Sequence, residues 1–147
     1  LFEAAARTGA ILAKLNKSYI NNISESAKNL GILFQIRDDL LDYSINLKTG
    51  KPSYQDLREG KVTYPFFFAY KNANKKEQKQ LRNLLGNKKL NRINTSQLIS
   101  QLDGINKTNE LAKKYHQETI KYAKKINKLG IKQEMIELAN IAINRDK

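Results

Sequence analysis

An all-α fold is expected from three features of this 147-residue chain. Side chains able to pack recur at three- and four-residue spacing, most plainly at Leu111, Tyr115, Thr119, Tyr122, Ile126 and Leu129, which is the helical period. No strand-like alternation and no fixed-period repeat is convincing. Two prolines and seven glycines supply little of the turn chemistry that a loop-rich β architecture needs. With 40% hydrophobic and 28% charged residues, the chain can bury a core as about one globular domain.

Taken in order, residues 1–15 read as a buried helix with small residues at Ala4, Ala5, Gly9 and Ala10, broken by Asn21 and Asn22. Ser24 is placed to cap a second helix, with Glu25 in its first turn, running through Ala27, Leu30, Phe34 and Leu41 to about Tyr43. The apolar period is lost from Ser44 to Lys61, a long loop punctuated by Gly50, Pro52 and Gly60; loops of that length are usually functional or disordered. Thr63 is the expected cap of an apolar helix over residues 64–70, which tolerates Pro65 in its first turn. Further helices are expected from Lys75 to near Gly86, from Thr95 to Gly104, along the Leu111–Leu129 stripe with a stop at Gly130, and around Met135, Leu138 and Ile141.

Composition excludes several classes. Without cysteine there is no disulfide scaffold and no thiolate metal site. A single histidine, His116, excludes a multi-histidine centre and reads as a surface or partly packed side chain, since no acid or nucleophile stands near it in sequence. The longest apolar run, residues 64–70, is too short to span a bilayer. The start at Leu1 suggests a fragment. The formal charge of +13 is compatible with nucleic acid, anionic lipid or phosphate-bearing substrates. Much of it is lysine amid abundant asparagine and isoleucine, as A/T-rich codons produce, and no aromatic–basic platform for bases is visible.

The informative run is Phe34-Gln35-Ile36-Arg37-Asp38-Asp39-Leu40-Leu41-Asp42. On a helix Asp38 and Asp42 are one turn apart and Asp39 and Asp42 three residues apart, spacing at which like charges repel. A hard divalent cation relieves that repulsion, and magnesium favours one or two carboxylates together with water and phosphate oxygens. Apolar flanks at Leu30, Phe34, Leu40 and Leu41 argue against a merely solvated acidic face. The loop beyond supplies Lys48, Lys51, Arg58 and Lys61, suited to a polyphosphate. The combination points to a metal–diphosphate site.

Residues 35–43, followed by Thr49-Gly50-Lys51 and then Asp56-Leu57-Arg58-Glu59-Gly60-Lys61-Val62-Thr63-Tyr64-Pro65, resemble the trans-polyprenyl diphosphate synthase family at its second aspartate-rich motif. Leu1-Phe2-Glu3-Ala4-Ala5 through Thr8-Gly9-Ala10 is similar to the helix after that family's Lys-Thr pair, and Ile143-Asn144-Arg145 to its C-terminal end. The resemblance implies an all-helical bundle in which magnesium ions join two facing aspartate-rich helices to an allylic diphosphate. Loss of diphosphate gives an allylic cation, isopentenyl diphosphate attacks it, and proton loss completes a five-carbon extension. It further implies Asp38 as the leading magnesium ligand, with Asp42 and Asp39 ligating directly or through water. Phe34 and Gln35 would face the prenyl groups, Lys51 and Lys61 the allylic diphosphate, and Asp56 would stand behind the metal; no catalytic acid or base is assigned.

The sequence departs from that pattern in two ways. Ser44-Ile45-Asn46 replaces a stretch commonly bearing glycine and aspartate, and Tyr54 stands where glycine is frequent. The first aspartate-rich motif, the arginine pair and the Lys-Thr pair have no counterpart in this chain. Residues 1–147 are therefore expected to be the C-terminal portion of one synthase domain, needing an N-terminal half as partner. A homodimer, a cytoplasmic location, no nucleic-acid partner and at most weak membrane-surface contact complete the expectation. A noncatalytic, synthase-like regulatory subunit is the alternative, and a basic nucleic-acid-binding helical domain a third.

Overall fold

The computed structural model describes residues 1–44 and 53–145. Among these the regular structure is entirely helical, in the order α1 (Phe2–Leu12), α2 (Lys17–Asp42), α3 (Gln55–Arg58), α4 (Tyr64–Asn72), α5 (Lys75–Arg82), α6 (Arg92–Gln101), α7 (Gly104–Ala123) and α8 (Leu129–Ile143). The expected fold class holds. No helix among the described residues is long and apolar enough to cross a membrane.

The chain divides into two compact units, one of Leu1–Arg37 with Leu111–Lys147 and one of Asp38–Glu110. In the first, α2 buries Ile23, Ala27, Leu30 and Leu33, and the later helices contribute Ala112, Ala123, Met135 and Ala139. The spacing of these α2 residues makes one helical stripe. The buried Ser26 hydroxyl donates to the Thr119 carbonyl at 3.0 Å, joining α2 to α7. Gly31 lets α1 approach, because a Cβ there would meet the Phe2 side chain at 3.1–3.3 Å.

The second unit is centred on Tyr43, Tyr54, Leu57, Phe66, Ala69, Leu81, Leu90 and Ile99. At Gly104 a Cβ would drive into the Pro65 carbonyl oxygen and crowd Ala69 and Ile99 at 3.1 Å, so the start of α7 sits against α4 through a bare backbone. Helix α5 opens with a capping box: Asn74 accepts from Lys76 and Glu77 amides, and the Glu77 carboxylate accepts from the Asn74 amide.

Several boundaries differ from the sequence expectation. The break expected at Asn21 and Asn22 lies earlier, over residues 13–16, where Lys14 takes φ 52° and Asn16 Oδ1 accepts the Tyr19 amide at 3.0 Å. Asparagine is a helix starter as well as a breaker, and the first asparagine available does the capping. Ser24 is consequently a buried residue inside α2, not a cap. Helix α1 buries only Ala10, so the expectation of a buried helix fails. Helix α6 starts at Arg92, capped by Asn91, whose side chain accepts the Asn94 amide; Thr95 lies inside and bonds back to the Asn91 carbonyl at 2.7 Å. Gly104 opens α7 instead of closing α6, after Asp103 turns the chain at φ 60°. Gly130 likewise sits in the first turn of α8, while the turn before it buries Ile126 completely.

Candidate active site

Helix α2 sorts its own acidic residues. Ile36, Asp39, Leu40 and Tyr43 are buried, at the spacing of the core stripe. Asp38, one position off that stripe, is exposed, and so are Phe34 and Gln35. The three aspartates of the motif therefore occupy different surroundings, which the sequence spacing alone did not separate.

Asp39, 6% exposed, accepts the Tyr64 amide on Oδ2 at 3.1 Å. That amide is the first of α4, one of the unsatisfied donors at any helix start, and a carboxylate there also faces the positive end of the helix dipole. Thr63, expected to cap α4 with its hydroxyl, makes no side-chain cap bond; its hydroxyl pairs with the Tyr43 hydroxyl at 2.8 Å. Pro65 explains part of this exchange, since it offers no amide to a capping side chain at its position.

Asp42 is a clasp. Its Oδ1 accepts the Gln55 amide at 2.8 Å and its Oδ2 the Asp56 amide at 3.1 Å, while its carbonyl accepts the Tyr54 amide at 2.7 Å. Burial raises the carboxyl above its ordinary pKa, and the two amide bonds oppose that rise. Burial likewise raises the phenols of Tyr43 and Tyr54, keeping both hydroxyls protonated and able to donate.

Part of the expected 44–61 loop is ordered by this clasp. Residues 55–58 form the short α3, Tyr54 is 1% exposed and Leu57 fully buried. Tyr54 adopts φ 64°, ψ 33°, a left-handed conformation that costs a non-glycine residue about 1–2 kcal/mol. Gly60 follows at φ 79°, where glycine carries no such penalty. The turn ends with the Lys61 amide donating to the Asp56 carbonyl at 2.9 Å, while its ammonium lies 3.0 Å from Asp56 and 2.8 Å from Glu59. Bonds to Glu59 and Asp56 push the Lys61 pKa up, and Lys61 lowers that of Glu59, leaving a permanent exposed cation. Lys48 and Lys51 lie outside the described residues.

Phe34 belongs to the first unit, where its ring lies 5.5 Å from that of Phe2 and 4.5 Å beneath the Arg145 guanidinium. Arg37 Nη2 donates to the Arg145 carbonyl at 2.9 Å. The tie between α2 and Arg145 was not foreseen from sequence, although the Phe34 aromatic and the late arginine were both visible. His116 bonds Asn140 Oδ1 through Nε2 at 2.9 Å, a packing role.

Among the described residues no three Asp, Glu, His or Cys side chains converge as a metal cage. Magnesium does not require one, because it keeps waters and takes phosphate oxygens beside one or two carboxylates. An exposed Asp38 at the head of the motif fits that donor set.

The profile of the polyprenyl synthetase family matches residues 1–102. The chain belongs to that family. Geranylgeranyl diphosphate synthase of Saccharolobus solfataricus is 35% identical over an alignment covering 100% of this chain and 46% of its own length. Among solved structures, geranylgeranyl pyrophosphate synthetase from Pyrococcus horikoshii superposes with a TM-score of 0.88 at 29% identity, covering 98% of this chain and 45% of that one. Polyprenyl synthase from Caulobacter crescentus, complexed with calcium and isoprenyl diphosphate, gives 0.85 at 27% identity, covering 99% and 46%. This polyprenyl synthetase chain thus spans less than half the length of these relatives. Its all-helical fold is that of the family, and the motif-bearing residues 34–65 fall within the matched segment.

Proposed function

We propose that the chain is the C-terminal portion of a trans-prenyltransferase that condenses an allylic diphosphate with isopentenyl diphosphate and releases diphosphate. The observation supporting this reading is the clasp of Asp42 on the Gln55 and Asp56 amides. It makes the acidic end of α2 and the basic turn reaching Lys61 one structure, as a metal–diphosphate site needs.

Each residue then has a task. Asp38 presents an exposed carboxylate to magnesium, which when bound neutralises charge developing on the departing diphosphate. Asp42 holds the following turn, Asp39 holds the start of α4, and both keep the ligating role that the resemblance implies only through water or a shift of these bonds. Lys61 offers its ammonium to the diphosphate, with Asp56 and Glu59 holding it ready; Lys51 takes the same role on the resemblance alone. Phe34 and Gln35 take the prenyl-facing role on the resemblance alone, where an apolar wall would shield an allylic cation from water. The remaining carboxylates and the basic residues for isopentenyl diphosphate come from an N-terminal half. A homodimer, a cytoplasmic location and magnesium as the working ion complete the proposal.

The test is incorporation of radiolabelled isopentenyl diphosphate into prenyl product with magnesium and an allylic diphosphate. Product is expected when the chain is joined to a complementary N-terminal half and none from the chain alone. Robust elongation by the chain alone contradicts the half-site reading; inactivity of the joined protein contradicts the enzyme.

A further inference from the structure

A tyrosine in left-handed conformation needs something to hold it there. At Tyr54 the ring is 1% exposed and meets the Tyr43 ring edge-on at 5.3 Å. Its hydroxyl lies beside the Ser96 side chain. Its amide donates to the Asp42 carbonyl at 2.7 Å and its carbonyl accepts the Arg58 amide at 3.1 Å. Glycine would adopt the same backbone at no steric cost and would bring none of the side-chain anchors.

The consequence runs along the chain. With residue 54 left-handed, the next two amides converge on Asp42, at 2.8 and 3.1 Å. Asp56 then receives the Lys61 ammonium at 3.0 Å. A wobble at residue 54 would be passed to both amides and so to the carboxylate that positions Lys61.

We propose that Tyr54 is a positioning residue, a ring-anchored latch that fixes the Gln55–Asp56 turn on Asp42 and presets the Asp56–Lys61 pair before any diphosphate arrives. The turn is thereby held by the unit's own core instead of by the ligand. The latch stands on the geometry; its effect on affinity rests on the diphosphate reading of Lys61 given above.

Residue-resolved amide hydrogen exchange tests the latch without reference to any ligand. Tyr54→Gly should speed exchange at Gln55 and Asp56 by about tenfold or more, although it relieves the backbone, while α7 amides stay unchanged. Tyr54→Phe, which keeps the ring, should restore most of the protection. Should Tyr54→Gly fail to fold, Tyr54→Asn gives a second form, since asparagine tolerates the left-handed backbone but brings no ring, with about fivefold or more faster exchange at the same two amides. Unchanged exchange at Gln55 and Asp56 in a folded Tyr54→Gly or Tyr54→Asn overturns the latch. Titration of magnesium with inorganic diphosphate then separates the two ideas. Faster exchange with weakened binding, rescued in Tyr54→Phe, supports both. Faster exchange with unaltered binding supports the latch and contradicts the role of Lys61.

Discussion

Two regions of the molecule treat their apolar side chains differently. The unit Asp38–Glu110 encloses Tyr54, Leu57, Ala69, Leu81 and Ile99 almost completely and leaves Val62, Phe67 and Ile93 exposed at its edges. The unit of Leu1–Arg37 with Leu111–Lys147 leaves Leu1, Ile11, Leu12, Leu138 and Ile141 at its surface. It also carries a groove of about 500 Å³ between Phe2, Ala5, Leu30, Phe34, Met135 and Ile141. The first region has a core it fills itself, and the clasp and latch are built on that core. The second offers uncovered apolar surface, of the kind that marks an interaction face or a ligand groove. Rigidity for the basic turn therefore comes from one region, and most of the uncovered apolar surface lies on the other.

The sharpest break between them is a truncation inside the enclosed core. Leu57→Ala should cost about 2–5 kcal/mol in urea unfolding, because Leu57 has no solvent exposure. A cost below about 1 kcal/mol would mean that the region relaxes freely. Gly104→Ala belongs to the same class: overpacking against Pro65 and Ile99 should cost about 1–3 kcal/mol, read as a lowered urea midpoint.

Replacing the α4 cap should act through a bond instead of a cavity. Asp39→Ala leaves the Tyr64 amide without its carboxylate, and about 1–3 kcal/mol is expected from the loss of that buried acceptor. Thermal unfolding checks it, and an unchanged midpoint would remove Asp39 from the supporting framework.

What the sequence made legible follows from which signals were local. Helical class, α4 and α5 came from composition and period, and the motif was recognisable because its residues are consecutive. Boundaries failed where one residue type serves two purposes: Asn21 and Asn22 read as breakers, while Asn16 and Asn91 were the caps. Gly104 and Gly130 read as stops although each lies in a first helical turn. The division of labour among Asp38, Asp39 and Asp42 was not legible, since it depends on where α3 and α4 return to α2. Tyr54 was visible only as a departure from glycine; its burial against Tyr43 is a contact across eleven positions that no local pattern announces.

Substitutions on the exposed side of the first unit should have smaller effects. Arg145→Met removes a guanidinium stacked on Phe34 and should cost about 0.5–2 kcal/mol, with less protection at amides near the end of α8 in hydrogen exchange. Leu138→Gln and Ile141→Gln should change stability by no more than about 0.5 kcal/mol while reducing binding of an apolar fluorescent dye. A large destabilisation by either would show that this surface is already packed.

On the proposed reading Asp38 faces outward for the metal while Asp39 and Asp42 hold the framework. Calorimetric titration of magnesium with inorganic diphosphate into Asp38→Asn, beside the parent chain and a thermal melt of each, tests it most directly. Binding should weaken by about tenfold or more with the loss of a charged ligand, at an unchanged melting temperature. Parent-like affinity in Asp38→Asn, or a loss of affinity matched by collapse of the fold, would contradict it.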